Sequence, residues 1–466
     1  MGQATRNAVA RNGMSKPPER VPIAEALRAA RETRWLELGQ GVLGRTAEVF
    51  RQQFGDKPAL LVADTNTFAA AGQAVREAFH RAGRACREPF VFTDPKLYAE
   101  HKHVAALEEA LGGHDAIPIA VGSGTINDLT KLAAHRAGRP YLAVATAASM
   151  DGYTAFGASI TYQGSKQTFS CPAPRAVVAD LDVICAAPAD MNASGYADLL
   201  AKVLAGADWL VTDALGVEAI DRTAWAIVQG GLRAAVANPA GVRNRNPEAV
   251  RQLTEGLLLS GFAMQSAQSS RVASGAEHQF SHLWDMQHHV HKGQTPLHGF
   301  KVGIGTLAIA SLYEYVLARR LENLDVGSCC AQWPDEAARE RTARGLFSQQ
   351  DLTTVALEES RAKWVNAAGL RRQLKTLRRV WPDLRERLRQ QLIPWPELKG
   401  MLRAAGAPVE PEEIGISRAR LRESFRQAYF LRRRFTVLDL TARCGLLEPA
   451  LGQLFGPDGP WPVSRF

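Results

Sequence analysis

Six of the eleven histidines of this 466-residue chain fall between His278 and His298, denser than an even scatter would give. His278 and His282 stand one helical turn apart, so both imidazoles can face the same cleft. A carboxylate joined to imidazoles is a hard-to-borderline donor set suited to Zn2+, Ni2+ or Fe2+. Asp198, in the apolar run Gly195-Tyr196-Ala197-Asp198-Leu199-Leu200-Ala201-Lys202, is a candidate carboxylate, and His298, in Leu297-His298-Gly299, a further imidazole. The alternative is a solvated histidine-rich loop, above all for His288, His289 and His291.

A second kind of chemistry is suggested by glycine. Gly122-Ser123-Gly124-Thr125-Ile126-Asn127-Asp128 stands where an apolar run gives way to a helical pattern. Glycines there let backbone approach a phosphate, and the helix start supplies N–H groups and the positive end of its dipole. The spacing matches neither G-x-G-x-x-G nor the P-loop pattern, and a tight turn that needs glycine is the alternative. Thr146-Ala147-Ala148-Ser149-Met150-Asp151-Gly152 makes a similar small-residue turn after the next apolar run. Two such turns at neighbouring strand ends converge on the carboxyl edge of a sheet, where open α/β folds bind ligands. Asp64 ends what reads as the first strand, where an acidic group can accept both ribose hydroxyls of NAD and repel a 2′-phosphate. It could equally cap the helix that follows.

The elements that must position these groups follow from apolar periodicity. Ala59–Asp64, Pro89–Phe92, Ile117–Val121 and Tyr141–Ala145 read as buried strands, alternating with helices over Phe68–Ala82, Tyr98–Leu111 and the run through Lys131 and Ala134. Continuous apolar strands separated by helices predict a doubly wound parallel sheet covered on both faces. A helical pattern through Leu27 and Leu36 precedes it, broken by Gly39, Gly41 and Gly44. Ala158–Phe169 and Ala176–Ile184 read as a hairpin excursion and a return strand. Beyond Pro188 nearly everything reads as helix, including Ala197–Leu210, Ala224–Ala237, Ala249–Ser266 and Leu307–Arg319, with Asn238-Pro239-Ala240-Gly241 a turn. The expected organisation is a flexible tail over residues 1–22, an α/β dinucleotide-binding domain over 23–188 and an all-helical domain over 189–466, with the ligand cleft between the last two.

Composition narrows the class. Hydrophobic residues are 46% and charged residues 22%, which suits a chain with a large core and excludes disorder for most of it. No apolar run reads as a bilayer span and no apolar h-region follows the N-terminal basic residues, so a cytoplasmic protein is expected. The six cysteines form no C-x-x-C pair, and neither a zinc knuckle nor a disulfide framework is indicated. The net charge of +9 is concentrated late: Arg361–Phe466 holds 21 Lys and Arg against 10 Asp and Glu. Such a surplus can attract nucleic acid. However, no aromatic-interleaved ribbon or zinc finger accompanies it, so packing or dimer contacts are favoured and nucleic acid is not expected as a partner.

Taken in order, five motifs resemble the sn-glycerol-1-phosphate dehydrogenases, closest to their bacterial branch, within the superfamily of glycerol dehydrogenase, iron-dependent alcohol dehydrogenase and dehydroquinate synthase. They are Gly122–Lys131, Thr146–Gly152, Ala197–Lys202, Ser274-Gly275-Ala276-Glu277-His278 and Leu297-His298-Gly299, and the likeness runs from about Val21 to Leu447. The resemblance implies that Asp198, His278 and His298 hold one divalent metal, Zn2+ or Ni2+ before Fe2+. It implies that Asp151 and His282, and Asp198 as well, contact substrate. Gly124, Thr125, Ile126, Asn127 and Asp128, with Thr146, Ala147, Ala148 and Ser149, match the pyrophosphate and nicotinamide-ribose contacts. Relatives often carry Ser four residues after the Asp of the second turn; here that position is Ala155, which offers a cofactor no side-chain hydrogen bond. Gln279 stands where relatives often carry another His.

The implied reaction interconverts dihydroxyacetone phosphate and sn-glycerol 1-phosphate with NAD(H), or NADP(H), in a homodimer. The metal would act as a Lewis acid on the C2 oxygen and His282 would relay the proton. Lys202, Arg271 and Lys301 are the candidate cations for the substrate phosphate. Another phosphorylated or polyol ketone, on the same fold and metal, is the alternative substrate.

Overall fold

A computed structural model of the chain describes residues 18–162, 165–348 and 352–463. Residues 1–17, most of the expected tail, lie outside the described residues. Just after them, Arg20 pairs with Glu255 (2.6 Å), and the Glu19 carbonyl lies so close to Gly230 that a Cβ there would fall 2.2 Å from it.

Six parallel strands form one sheet in the order β1 (Trp35–Gly39), β8 (Ala176–Asp180), β5 (Leu142–Ala145), β4 (Ile117–Gly122), β2 (Ala59–Asp64), β3 (Phe90–Phe92). The inner strands are apolar without alternation because helices cover both faces: all of Ile117–Gly122, Leu142–Ala145 and Ala176–Asp180 is buried. The strand order reverses between β2 and β4, the switch point at which doubly wound sheets open a crevice beyond their carboxyl ends. The hairpin β6 (Ala158–Tyr162) and β7 (Ser165–Phe169) stands apart as a two-stranded antiparallel sheet before the chain returns through β8.

Several expectations need correction. The helical pattern read through Leu36 ends at Ala29, and Trp35-Leu36-Glu37-Leu38-Gly39 is an extra strand pairing with β8. It is half-buried with Glu37 at its centre, so it lacks the continuous apolar signal of the inner strands. Asp64 therefore ends the second strand. The return strand stops at Asp180, whose side chain caps the helix Leu181–Ala186. Asn238 does not open a plain turn but caps the short helix Pro239–Arg243 through its side chain.

Six helices build the site: α1 (Gly124–Arg136), α2 (Ala189–Leu200), α3 (Lys202–Ala214), α4 (Pro247–Ala267), α5 (Ala276–Met286) and α6 (His298–Leu317). The single helix read over Ala197–Leu210 is the end of α2 and most of α3, broken at Ala201. The long helix α6 is apolar enough, by length and composition, to cross a membrane, contrary to the reading of the sequence; it is a core helix, with 83% of its most apolar stretch buried inside the protein.

Candidate active site and metal centre

The strand-to-helix turn at the end of β4 is shaped by what glycine permits. A Cβ on Gly122 would fall 2.5 Å from the Ile126 Cβ, so glycine lets the helix start directly on the strand end. Ser123, the residue before α1, makes no side-chain cap bond, so the first amides of α1 are not claimed by a capping side chain. Only Gly124 and Thr125 of the expected cofactor residues here are without a structural side-chain task. Ile126 is core, Asn127 accepts from the Tyr141 hydroxyl (3.1 Å) and reaches the Gly152 carbonyl (3.3 Å), and Asp128 accepts from the Ser159 amide (3.1 Å). Contact from those three to a dinucleotide would run through backbone.

The second turn lies beside the first, where the Thr146 amide donates to the Gly122 carbonyl (3.2 Å). Thr146, Ala147, Ala148 and Ser149 are buried, the Ala148 amide is held by Asn192 (3.0 Å), and the Ser149 hydroxyl meets Tyr153 (3.3 Å). Lys131, on α1 and 1% exposed, closes the loop beyond it by donating to the carbonyls of Gly152 (3.0 Å), Ala155 (2.9 Å) and Gly157 (3.0 Å). Ala155 thus contributes its carbonyl to this clamp. Asp64, at the end of β2, caps the following turn: its Oδ1 accepts from Asn66 and Thr67, both at 2.9 Å. The capping reading of Asp64 holds, and its other carboxyl oxygen is outside that cap.

Glycine also lets the helix bearing Asp198 sit against this turn. A Cβ on Gly195 would fall 1.8 Å from the Ala148 carbonyl oxygen, and one on Gly299 would fall 1.8 Å from the Ser194 carbonyl oxygen. The turn, α2 and the start of α6 are therefore in backbone contact, and Ser194 stitches them by donating to the Ser149 carbonyl (3.2 Å) and accepting from the Gly299 amide (3.0 Å).

Asp198, His278 and His298 converge here. Each offers a ligand atom within 4.8 Å of the others, although they come from the last turn of α2 and the first turns of α5 and α6. Asp198 is fully buried and His278 is 5% exposed. His278 Nε2 lies 3.4 Å from Asp198 Oδ1 while its Nδ1 lies 2.8 Å from Glu277 Oε1. A carboxyl oxygen behind one ring nitrogen, with the other turned to the ligand cluster, is the usual support for a metal-binding imidazole. The donor set, one carboxylate and two imidazoles without sulfur, fits a borderline divalent cation and leaves coordination positions open. The His282 ring lies 6.4 Å from His278 on the next turn of α5, and the His298 ring 5.5 Å from it.

Charge in the site is balanced by a residue whose part the sequence left open. Lys202, fully buried, places Nζ 2.5 Å from Asp198 Oδ1 and 2.9 Å from Asp151 Oδ2. Asp151 also accepts from Ser260 (2.8 Å), and its amide donates to Asp198 Oδ2 (3.0 Å). Burial alone would raise the Asp198 carboxyl, but the Lys202 ammonium and the two imidazoles hold it well below the usual carboxylate range. Burial would likewise lower Lys202, and the carboxylates of Asp151 and Asp198 outweigh it and raise it. Of the other two candidate cations, Arg271 donates to the Asp208 carbonyl (2.9 Å) and Thr212 (3.0 Å), and Lys301 is paired with Asp285, so both are engaged inside the helical core. The i, i+4 spacing of Asp198 and Lys202 was the available signal for the first pairing; nothing in the sequence pattern announced Ser260, Lys131 or the loop carbonyls. His289 is not solvated as read: it is 7% exposed and held by the Ile414 carbonyl (2.6 Å) and Arg420 (2.8 Å).

Comparison with known proteins bears on the family and the fold. Residues 37–188 match the family model of iron-containing alcohol dehydrogenases. The chain is 35% identical over 309 residues to a glycerol-1-phosphate dehydrogenase, NAD(P)+, of Halalkalibacterium halodurans, covering 64% of this chain and 77% of that one. It is 30% identical over 397 residues to the enzyme of the same name from Geobacillus thermodenitrificans, covering 84% and 88%. Among solved structures, a probable glycerol dehydrogenase from Sinorhizobium meliloti shares the fold, with a TM-score of 0.58 at 16% identity over 90% of this chain and 97% of that one. With such identity over most of the relatives' length, on this sheet and helical array, the chain belongs to the glycerol-1-phosphate dehydrogenase family of NAD(P)-dependent alcohol dehydrogenases.

Proposed function

We propose that the chain interconverts dihydroxyacetone phosphate and sn-glycerol 1-phosphate, using NAD(H) in preference to NADP(H) and one divalent metal, Zn2+ or Ni2+, held by Asp198, His278 and His298. The observation that carries this reading is the meeting of one buried carboxylate and two imidazoles from three helices beside the paired turns of a parallel sheet. When bound, the metal supplies Lewis-acid stabilisation to the oxygen on C2, and the nicotinamide supplies or takes the hydride.

The chain's own residues do the rest. The first amides of α1 and the turn Thr146–Ser149 receive the pyrophosphate and the nicotinamide ribose. Asp64 stands at the crevice between β2 and β4, where the carboxyl oxygen outside its cap accepts the ribose hydroxyls and disfavours a 2′-phosphate. Asp151, fixed by Ser260 and Lys202, takes a substrate hydroxyl. Lys202 balances the charge of Asp151 and Asp198 at the substrate end of the cleft. His282 gives a proton to the oxygen on C2 during ketone reduction and removes it in the reverse direction.

The test is NADH oxidation by the purified chain with dihydroxyacetone phosphate and added Zn2+ or Ni2+, followed by chiral analysis of the product. Formation of sn-glycerol 1-phosphate is expected, with metal and turnover both lost in Asp198→Ala. Formation of the sn-3 enantiomer alone, or no turnover with either metal, would overturn the proposal.

A further inference from the structure

Behind the face of His278 that meets Asp198 lie two more buried carboxyl groups to which the reaction gives no part. Glu277, fully buried, uses Oε1 for both the His278 Nδ1 (2.8 Å) and the Gly275 amide (2.7 Å). Asp208, on α3 and also fully buried, gathers donors from three other elements. Its Oδ2 accepts the Ala276 amide at the start of α5 (2.7 Å), and its Oδ1 accepts the Tyr313 hydroxyl on α6 (2.6 Å) and the Val437 amide (2.8 Å). Val437 opens the helix Val437–Arg443 in the basic C-terminal part of the chain. Gly275 is wedged between the two carboxyl groups: a Cβ there would fall 2.6 Å from Asp208 Oδ2 and 2.7 Å from Glu277 Oε2. The same loop is gripped from the C-terminal side, where Arg434 donates to the Ser274 carbonyl (2.6 Å) and to Ser270 (2.9 Å).

We propose that Glu277 and Asp208 are positioning residues of the metal centre, Glu277 fixing the tautomer and direction of His278 and Asp208 tying the helices of His278 and His298 to the C-terminal helix Val437–Arg443. The inference rests on reading Asp198, His278 and His298 as the metal ligands. A carboxylate oxygen only accepts at Nδ1, so that nitrogen carries a proton and Nε2, facing Asp198, is the ring nitrogen left for a metal to take. A ligand on the first turn of a helix is only as well placed as that turn, and Asp208 holds the α5 turn and α6 to one point. The basic C-terminal helices thereby gain a part in the site that needs no nucleic-acid partner.

The experiment measures Zn2+ affinity of the full chain, stripped of metal, by competition with a chromogenic chelator, together with the visible spectrum of the Co2+-loaded form and the urea midpoint of the metal-free form. Glu277→Ala is expected to weaken Zn2+ binding about 10- to 100-fold, the usual effect of losing such a support, and to alter the Co2+ spectrum while the metal-free form, its urea midpoint lowered by the stranded Gly275 amide, still unfolds in one cooperative transition. Glu277→Gln, which keeps an acceptor at Oε1, is expected to recover most of the lost affinity. Tyr313→Phe removes one donor from Asp208 without disturbing its charge and is expected to weaken Zn2+ severalfold; Asp208→Asn is expected to weaken it further. Glu277→Ala binding within twofold of the parent would overturn the role of Glu277, and Tyr313→Phe and Asp208→Asn both binding like the parent would overturn that of Asp208. If Asp208→Asn does not fold, Tyr313→Phe decides alone. Failure of the parent chain itself to bind Zn2+, Ni2+ or Co2+ would instead overturn the ligand assignment on which both roles stand.

Discussion

Replacing Lys202 with methionine separates the electrostatics of the site from its packing. The lysine is fully buried, and its ammonium stands 2.5 Å from Asp198 and 2.9 Å from Asp151. Met fills much of the same volume without charge, so Lys202→Met leaves the two carboxylates facing each other without their cation. Breaking a buried ion pair by removing one partner costs about 3–5 kcal/mol, and that loss is expected in the metal-free chain. The oxygen that Lys202 covers, Asp198 Oδ1, is also the one facing His278 Nε2. A divalent cation held by the proposed ligands would therefore compete with the ammonium for one carboxylate, and like charges about 4 Å apart repel by about 4 kcal/mol per unit charge at an intermediate dielectric. Zn2+ is accordingly expected to bind Lys202→Met at least about tenfold more tightly than the parent, a difference of about 1.4 kcal/mol. With metal at about 1,000 times its Kd, binding adds about 4 kcal/mol, enough to offset most of the variant's deficit. The assay is urea denaturation of both proteins with a chelator and with excess Zn2+, joined to chelator competition for the Kd. A metal-free loss under about 1 kcal/mol, or weaker Zn2+ binding in the variant, would refute the account of Lys202 as the cation that stands in for charge at Asp198.

Three further outcomes follow from the geometry. Gly195→Ala puts a methyl 1.8 Å from a backbone carbonyl, so α2 must back away from the Ala148 turn; a loss of about 1–3 kcal/mol and a fall in kcat/KM are expected, and a variant with parental thermal midpoint and turnover would contradict the contact. Lys131→Met leaves the carbonyls of Gly152, Ala155 and Gly157 without their shared donor; at about 1–3 kcal/mol for a stranded buried acceptor, the loop should open to protease between Asp151 and Gly157, and unchanged digestion would argue against the clamp. Burial, with Glu277 nearby, pushes the Asp208 carboxyl up from 3.8 to about 6, so between pH 4 and 6 the folded chain keeps a proton that the unfolded chain has released. Stability contributed through Asp208 is therefore lost as pH rises through that window, by about 3 kcal/mol. Urea midpoints of the metal-free parent and Asp208→Asn should diverge in their pH slopes there, and parallel slopes would refute the shift.

What the sequence disclosed follows physical lines. Ala59–Asp64 and Ile117–Val121 were legible because a strand buried on both faces must be apolar at every position, whereas Trp35–Gly39 on the sheet edge carries Glu37 and was absorbed into a helical pattern. The break at Ala201 was invisible because both α2 and α3 are buried all round, so periodicity does not mark where one axis ends. Residue type and local density pointed to histidines as candidate ligands, yet only the motif order separated His278 and His298, the proposed ligands, from His289, which is spent on the Ile414 carbonyl. Lys131 and Glu277 sat inside motifs already marked for other reasons. Their tasks depend on carbonyls and ring nitrogens brought near by folding, and no spacing rule encodes those.

The bond from the Val437 amide to Asp208 has a bearing on how the chain matures. During synthesis every side chain of the proposed ligand cluster leaves the ribosome well over a hundred residues before the amide that completes the support behind it. A polypeptide halted short of Thr436 would lack one of the three donors that Asp208 gathers, so chelating power should arrive late in translation, and a trimmed version lacking its arginine-rich tail should be an impaired protein and not a minimal one.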